Sequence, residues 1–265
     1  NLLNQSLYNK KKFVPKIVKI KNQSYFSLNN NYWTLYGFIN GNYYKGNLYE
    51  FKNIAFQIGI LFKCLDKIKV KKGHSDGPSY FTKKDKKIIR NVNLNKKNWN
   101  KIFDKNTCNI LNQNWDLIYK IYSKNKKYNK YYIFKQFSHF DLHPHNILTN
   151  KNKLISFLDI ESCKILNPGF ALAFACLKLC KQAIINQKII NRNKSKKLVK
   201  IFISEISKNY PQIKKISKTL FFFSTSEVLR RIIIILNLNL NGIKQWNKVL
   251  KIQVNHLIES DYLFN

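Results

Sequence analysis

The sequence predicts an α+β fold in which a small strand-bearing lobe precedes a larger, mostly helical one. Three observations carry this. β-branched and aromatic residues crowd the stretch before residue 40 and are interrupted by Asn-rich turns. From Leu48 the apolar spacing changes to the 3, 4, 7 period of an amphipathic helix. After Pro168 only helical patterns remain, and no internal repeat breaks them.

Residues 2–8 read as the end of a helix, followed by a basic break at Lys10, Lys11 and Lys12. Residues 14–28 and 32–39 read as two antiparallel strands joined by a polar turn at Asn29, Asn30 and Asn31. Asn40-Gly41 and Gly46-Asn47 punctuate the chain. Leu48, Phe51, Ile54, Ile58, Leu61 and Leu65 then share a helix face, with Asn47 as N-cap and Glu50 completing a capping-box-like pair.

Residues 69–98 are basic, hold Gly73, His74, Gly77 and Pro78, and read as a surface loop with little order. Residues 106–122 are helical again, with Leu111, Trp115, Ile118 and Tyr122 on one face. A strand pair then brackets a polar motif, and residues 154–158 form its second strand. Residues 168–190 read as a strongly apolar, buried helix. Residues 195–208, with Ser195 as N-cap, residues 212–237 after Pro211, and residues 242–260 complete the helical part.

The chain has 265 residues, 45 % of them hydrophobic and 14 % aromatic, enough to bury a sizeable core and to exclude a disordered tail. Its net charge of +35 comes from 48 basic against 13 acidic residues. Such a balance fits an anionic partner, but the excess is almost all Lys; Arg90, Arg192, Arg230 and Arg231 are the arginines. Abundant Asn, Ile, Tyr and Phe beside scarce Gly, Pro and Ala are what AT-rich codons produce. An Arg-poor excess argues against specific nucleic-acid readout. The five cysteines form no CxxC, and Cys176 and Cys180 read as small buried hydrophobes. No signal peptide or membrane-length apolar run is recognised, so a cytoplasmic protein is expected. Met is absent, even at position 1, which predicts loss of an N-terminal piece.

The chemistry concentrates in His139-Phe140-Asp141-Leu142-His143-Pro144-His145-Asn146, and in Asp159 and Glu161 after the following strand. Asp141 and Asn146 have the spacing D-x-x-x-x-N. Phosphoryl transfer needs a carboxylate to accept the proton of the attacking hydroxyl, which suits Asp141, and hard oxygen ligands for Mg²⁺, which suits Asn146 and Asp159. Positioning and charge neutralisation supply most of the acceleration. A metal-dependent hydrolase is the competing reading of D-L-H-x-H. It needs further ligands, and only His256, Glu205, Glu227, Glu259 and Asp261 follow these acids.

The two segments, with Ile147-Leu148 after the first, resemble the aminoglycoside phosphotransferase/choline kinase-like group of the protein-kinase-like fold. The resemblance is specific over residues 137–169. It implies Asp141 as catalytic base, His139 as the residue bracing the catalytic loop, and Asn146 and Asp159 as magnesium ligands. Tyr32 to Gly41 resembles the strand, hinge and turn of that group, which implies that the backbone of Tyr36, Gly37, Phe38 and Ile39 faces the adenine of ATP. Residues 1–41 then correspond to a partial nucleotide-binding lobe with the hinge, and residues 42–265 to the helical lobe with the catalytic and metal-binding loops.

By the same resemblance the chain is a fragment of an ATP- and Mg²⁺-dependent kinase that phosphorylates a hydroxyl of a small molecule. No nucleic-acid or membrane partner is implied. Two departures stand out. Ala171 occupies a place where the group has Asp, and no Gly-rich phosphate loop or strand lysine precedes Gly37. The second departure favours an alternative, a non-catalytic kinase-like remnant or basic binding module.

Overall fold

A computed structural model describes Leu7 and residues 13–68, 82–125 and 134–265. Of the expected helix end over residues 2–8 only Leu7 is described, and it is helical; the Lys10–Lys12 break and the part of the basic stretch holding Gly73, His74, Gly77 and Pro78 lie outside the described residues. Five short strands open the chain: β1 (Ile17–Val18), β2 (Phe26–Leu28), β3 (Asn31–Trp33), β4 (Leu35–Tyr36) and β5 (Asn42–Tyr43). β1 pairs with β4 and β2 with β3, both antiparallel. Asn29 and Asn30 join β2 to β3 at positive φ, the geometry of a two-residue hairpin turn, which Asn tolerates. The single strand expected over residues 14–28 is corrected. Lys21 and Asn22 also take positive φ and fold the chain back, with Ile20 bridging Gln23. Residues 32–39 are likewise split at Thr34, and strand structure ends at Tyr36.

The second half of the sheet structure comprises β6 (Gln136–His139), β7 (Ile147–Asn150), β8 (Lys153–Phe157) and β9 (Cys163–Leu166). β7 and β8 form a hairpin that β5 extends, giving the order β5-β7-β8, while β6 pairs antiparallel with β9. The motif therefore hangs between two strand pairs and cannot drift in register.

The helices are α1 (Leu48–Asp66), α2 (Lys83–Leu94), α3 (Trp99–Ile102), α4 (Lys105–Asn125), α5 (Pro168–Asn186), α6 (Arg192–Ser207), α7 (Ile213–Ser217), α8 (Leu220–Leu240) and α9 (Asn247–Phe264). Asn47 caps α1, its side chain accepting from the Glu50 N–H at 2.9 Å. The return half of the expected capping box is displaced: the Glu50 carboxylate accepts from the N–H groups of Lys45 and Gly46 instead. The expected loop before residue 98 is a helix from Lys83, where Thr82 and Asp85 form a full capping box. Lysines had hidden the sparse apolar stripe of Ile88, Ile89 and Val92, which is buried. Asn191, not Ser195, caps α6; Ser195 lies in the first turn and donates back to the Asn191 carbonyl. The helix expected over residues 212–237 is broken at Lys218–Thr219 into α7 and α8, and the last helix starts at Asn247 rather than Gly242.

Two apolar clusters result. One gathers α1, α5, α6 and the motif strands around Phe51, Phe62, Phe157, Phe170 and Phe202. The other gathers α2, α4, α8 and α9 around Trp99, Trp115, Leu229 and Leu250. By length and composition α5 could cross a membrane, contrary to the expectation of no such run. Yet 67 % of that stretch is buried against its neighbours, with Cys176 and Cys180 as free, enclosed thiols.

α1 and α6 approach so closely at Gly59 that a Cβ there would lie 2.6 Å from the Ile206 carbonyl oxygen. Gly59→Ala is therefore expected to destabilise the fold by about 1–3 kcal/mol through overpacking. Urea unfolding measures this; an unchanged midpoint contradicts the close packing.

Candidate active site

β6 delivers His139 into the core, where no part of the residue is exposed. Its Nε2 donates to the Leu158 carbonyl at 2.8 Å, and its Nδ1 accepts the Asp141 N–H at 3.4 Å, an assignment of the ring proton made from these partners. Burial pushes the His139 pKa down, so the ring is neutral at pH 7; the Leu158 bond and the charges of Asp159 and Asp141 oppose this only in part. One imidazole thus ties the loop of Asp141 to the residue before Asp159. Since its atoms are enclosed, His139 can hold these two loops together but cannot reach a ligand in the cleft.

Asn146 closes the motif. Its Nδ2 donates to the Asp141 carbonyl at 2.9 Å and lies 3.5 Å from Asp141 Oδ2, and its own carbonyl accepts from the Leu158 N–H at 2.9 Å. With the amide nitrogen turned inward, the carboxamide oxygen is left as an acceptor. Asp141 is half exposed, and His143 Nε2 lies 3.5 Å from its Oδ2. His143 in turn accepts the His145 N–H on Nδ1. Asp159 is exposed and held at φ +54°, ψ +48°. Non-Gly residues in this left-handed region are uncommon and cluster at functional sites. Ser162 donates from its hydroxyl to Asp159 Oδ2 and from its N–H to the Asp159 carbonyl.

A cleft of about 640 Å³ runs between Tyr36–Gly41 on one wall and Leu158–Glu161 on the other. All four expected hinge residues, Tyr36, Gly37, Phe38 and Ile39, line it, and so does Asp159. Tyr36 donates to Glu161 Oε1 at 2.7 Å, joining the walls. The Gly37 N–H is taken by the Lys16 carbonyl, whereas among the described residues no hydrogen bond within the chain uses the peptide groups of Phe38, Ile39 or Asn40. That leaves a donor and acceptor row suited to the edge of a flat heterocycle. Asp141 and Asn146 are not in the lining; they sit on the adjoining loop, connected through the Asn146–Leu158 bond.

The donor set fits Mg²⁺. A carboxamide oxygen and a carboxylate are hard ligands, too few for a cage of their own but sufficient where phosphate and water complete the shell. Among the described residues no three His, Cys, Asp or Glu side chains converge on a metal position. Sequence reasoning missed the roles of three residues: His143 beside the Asp141 carboxylate, Ser162 on Asp159, and Tyr36 on Glu161. The D-x-H spacing could have flagged the first; the other two depend on the fold.

No protein-family profile matches the chain, and no curated protein does. Solved structures do. A spectinomycin phosphotransferase bound to ADP and spectinomycin is 14 % identical, covering 97 % of this chain and 77 % of its own, with a TM-score of 0.63. An amicoumacin kinase bound to AMP-PNP and Ca²⁺ is 12 % identical, covering 99 % and 77 %, with a TM-score of 0.59. A Plasmodium vivax ethanolamine kinase is 15 % identical, covering 97 % and 69 %, with a TM-score of 0.56. The chain therefore has the protein-kinase-like α+β fold of aminoglycoside phosphotransferases and choline/ethanolamine kinases, as the motif resemblance implied.

The neutral His139 carries a pH signature. Its folded pKa lies below the ordinary 6.5, so the unfolded chain takes the proton first, and stability falls as pH drops below about 6.5. His256, pushed down to about 4 by burial and by Lys178, Lys181 and Arg231, acts in the same direction. The urea midpoint is expected to be lower at pH 5 than at pH 7; equal midpoints contradict the buried neutral ring.

Proposed function

We propose that the chain is the hinge and catalytic part of a small-molecule kinase of the aminoglycoside phosphotransferase/choline kinase type, transferring the γ-phosphoryl group of ATP to an acceptor hydroxyl. The observation that carries this reading is the His139 bridge. It fixes the Asp141–Asn146 loop against Asp159 at the edge of a cleft whose other wall is Tyr36–Ile39. Asp141 serves as the base that takes the acceptor's hydroxyl proton, and His143 orients its carboxylate. Asn146 Oδ1 and the Asp159 carboxylate would hold Mg²⁺. Bound there, the ion would neutralise charge on the phosphate oxygens. The free peptide groups of Phe38–Asn40 grip the adenine edge. In this reading residues 1–41 form the nucleotide side and residues 42–265 the acceptor and metal side.

A second reading, a non-catalytic binding module on the same fold, is favoured by one observation. No Gly-rich loop or strand lysine that would cradle the phosphates occurs before Gly37. For that reason nucleotide affinity is expected to be weak, and a micromolar Kd for MgATP in calorimetry contradicts this. The kinase reading predicts ATP-dependent phosphorylation of a hydroxylated acceptor at millimolar MgATP. Asp141→Asn should lower the rate by about 10²- to 10⁴-fold, the usual contribution of a positioned base. Asp159→Asn should also lower it and raise the Mg²⁺ requirement. Turnover undiminished in either variant rejects the assignment.

A further inference from the structure

α5 is apolar over almost its whole length; its charged residues are Lys178 and Lys181. The helix packs against the Pro144–Asn146 turn of the catalytic loop. Phe174, one turn before Lys178, stacks on Phe140, the neighbour of Asp141, with centroids 6.5 Å apart. The Lys178 ammonium lies 5.4 Å from the centre of the Phe174 ring, and the Arg231 guanidinium of α8 lies 5.9 Å from it. Lys164 approaches the Phe140 ring from β9 at 5.8 Å. Cations therefore gather on the helical side of the proposed base.

Their pairing is incomplete. Glu259 is taken by Lys181 at 2.5 Å. Glu227 is shared by Arg230, through two hydrogen bonds, and Arg231. The hydrogen bond of Lys178 goes to His256 Nε2 at 2.8 Å, an imidazole that burial, with its cationic neighbours, keeps neutral. Among the described residues Lys178 and Lys164 have no carboxylate partner within 4.0 Å. Burial, then Lys181, pulls the Lys178 pKa down, and the charges of Glu259 and Asp141 oppose this only in part. Coding bias accounts for solvated surface lysines but not for a half-buried one on a core helix, near enough to Asp141 to feel its charge. A partly desolvated cation without an anion is unfavourable, and an anionic ligand would relieve it. A cationic acceptor would instead meet repulsion from the same groups.

We propose that the acceptor is a small hydroxylated anion, a carboxylate or a phosphate ester, whose charge is bound by Lys178 with Arg231 while its hydroxyl faces Asp141. The proposal rests on the kinase reading for the reaction, though not for anion binding.

The test uses the full chain with millimolar MgATP and four acceptors: D-glycerate, glycerol 3-phosphate, glycerol and choline. Phosphorylation is expected with glycerate, with glycerol 3-phosphate, or with both, the two arms separating carboxylate from phosphate recognition. Lys178→Gln should raise the KM of the anionic acceptor by about 10- to 100-fold, the range for losing a hydrogen bond to a charged group, with the KM of ATP unchanged. Lys178→Arg should keep it within a few-fold. Preference for glycerol or choline, or an unchanged acceptor KM in Lys178→Gln, overturns the proposal. Thermal unfolding without nucleotide is the second readout. The two anions should raise the melting temperature of the unaltered chain and of Lys178→Arg, but not of Lys178→Gln. If only the kinase reading fails, no acceptor is phosphorylated while this anion effect persists. If the anion proposal fails, neither anion stabilises the chain, or both variants respond alike, whatever happens to ATP.

Discussion

The His139 ring meets two demands at once. Its Nε2 needs an acceptor and finds the Leu158 carbonyl; its Nδ1 needs a donor and finds the Asp141 N–H. In an enclosed position both must be met, because a buried polar atom left unpaired is costly, on the order of 1–3 kcal/mol. The geometry of two loops follows from this one ring. If the Asp141 loop shifts, Nδ1 loses its donor; if the strand before Asp159 shifts, Nε2 loses its acceptor. The Asn146 carbonyl, accepting from the Leu158 N–H, repeats the tie one step further along. Neutral groups thus stand behind the Asp141 and Asp159 carboxylates and hold the backbone that carries them.

The rest of the fold keeps this assembly rigid. Thr149 of β7 donates to Glu50 Oε1 at 2.7 Å, while Glu50 Oε2 collects the N–H groups of Lys45 and Gly46. A single buried carboxylate thus joins the motif hairpin, the turn after the hinge and the start of α1. The two walls of the cleft are joined through Tyr36 and Glu161.

Much of this was legible in the sequence because the chemistry is local. Asp141, Asn146 and Asp159 lie on short connections between strands, so their spacing along the chain nearly fixes their spacing in space. The aromatic, β-branched run before Gly37 was legible as strand, though its end and its break at Thr34 were not. What failed were boundaries and distant partners. Lys21-Asn22 turns a β-rich run because Asn accepts positive φ, a preference the surrounding Val and Ile conceal. The helix from Lys83 carries so many lysines that its three buried residues were lost among them. Lys178 and His256 are 78 residues apart, and nothing in either segment announces the other. A compositional excess of Lys further masked the one lysine whose surroundings make it informative.

That Asn146 and Asp159 form the cation-holding edge of a nucleotide site is tested most directly by titrating Mn²⁺, as a paramagnetic substitute for Mg²⁺, against the chain in the presence of ADP and following free Mn²⁺ by electron paramagnetic resonance. The arrangement predicts a bound Mn²⁺ population that requires ADP, is weakened in Asn146→Ala and Asp159→Asn, and is kept in Lys178→Gln. Titrations of Asp159→Asn that superimpose on those of the unaltered chain would contradict it.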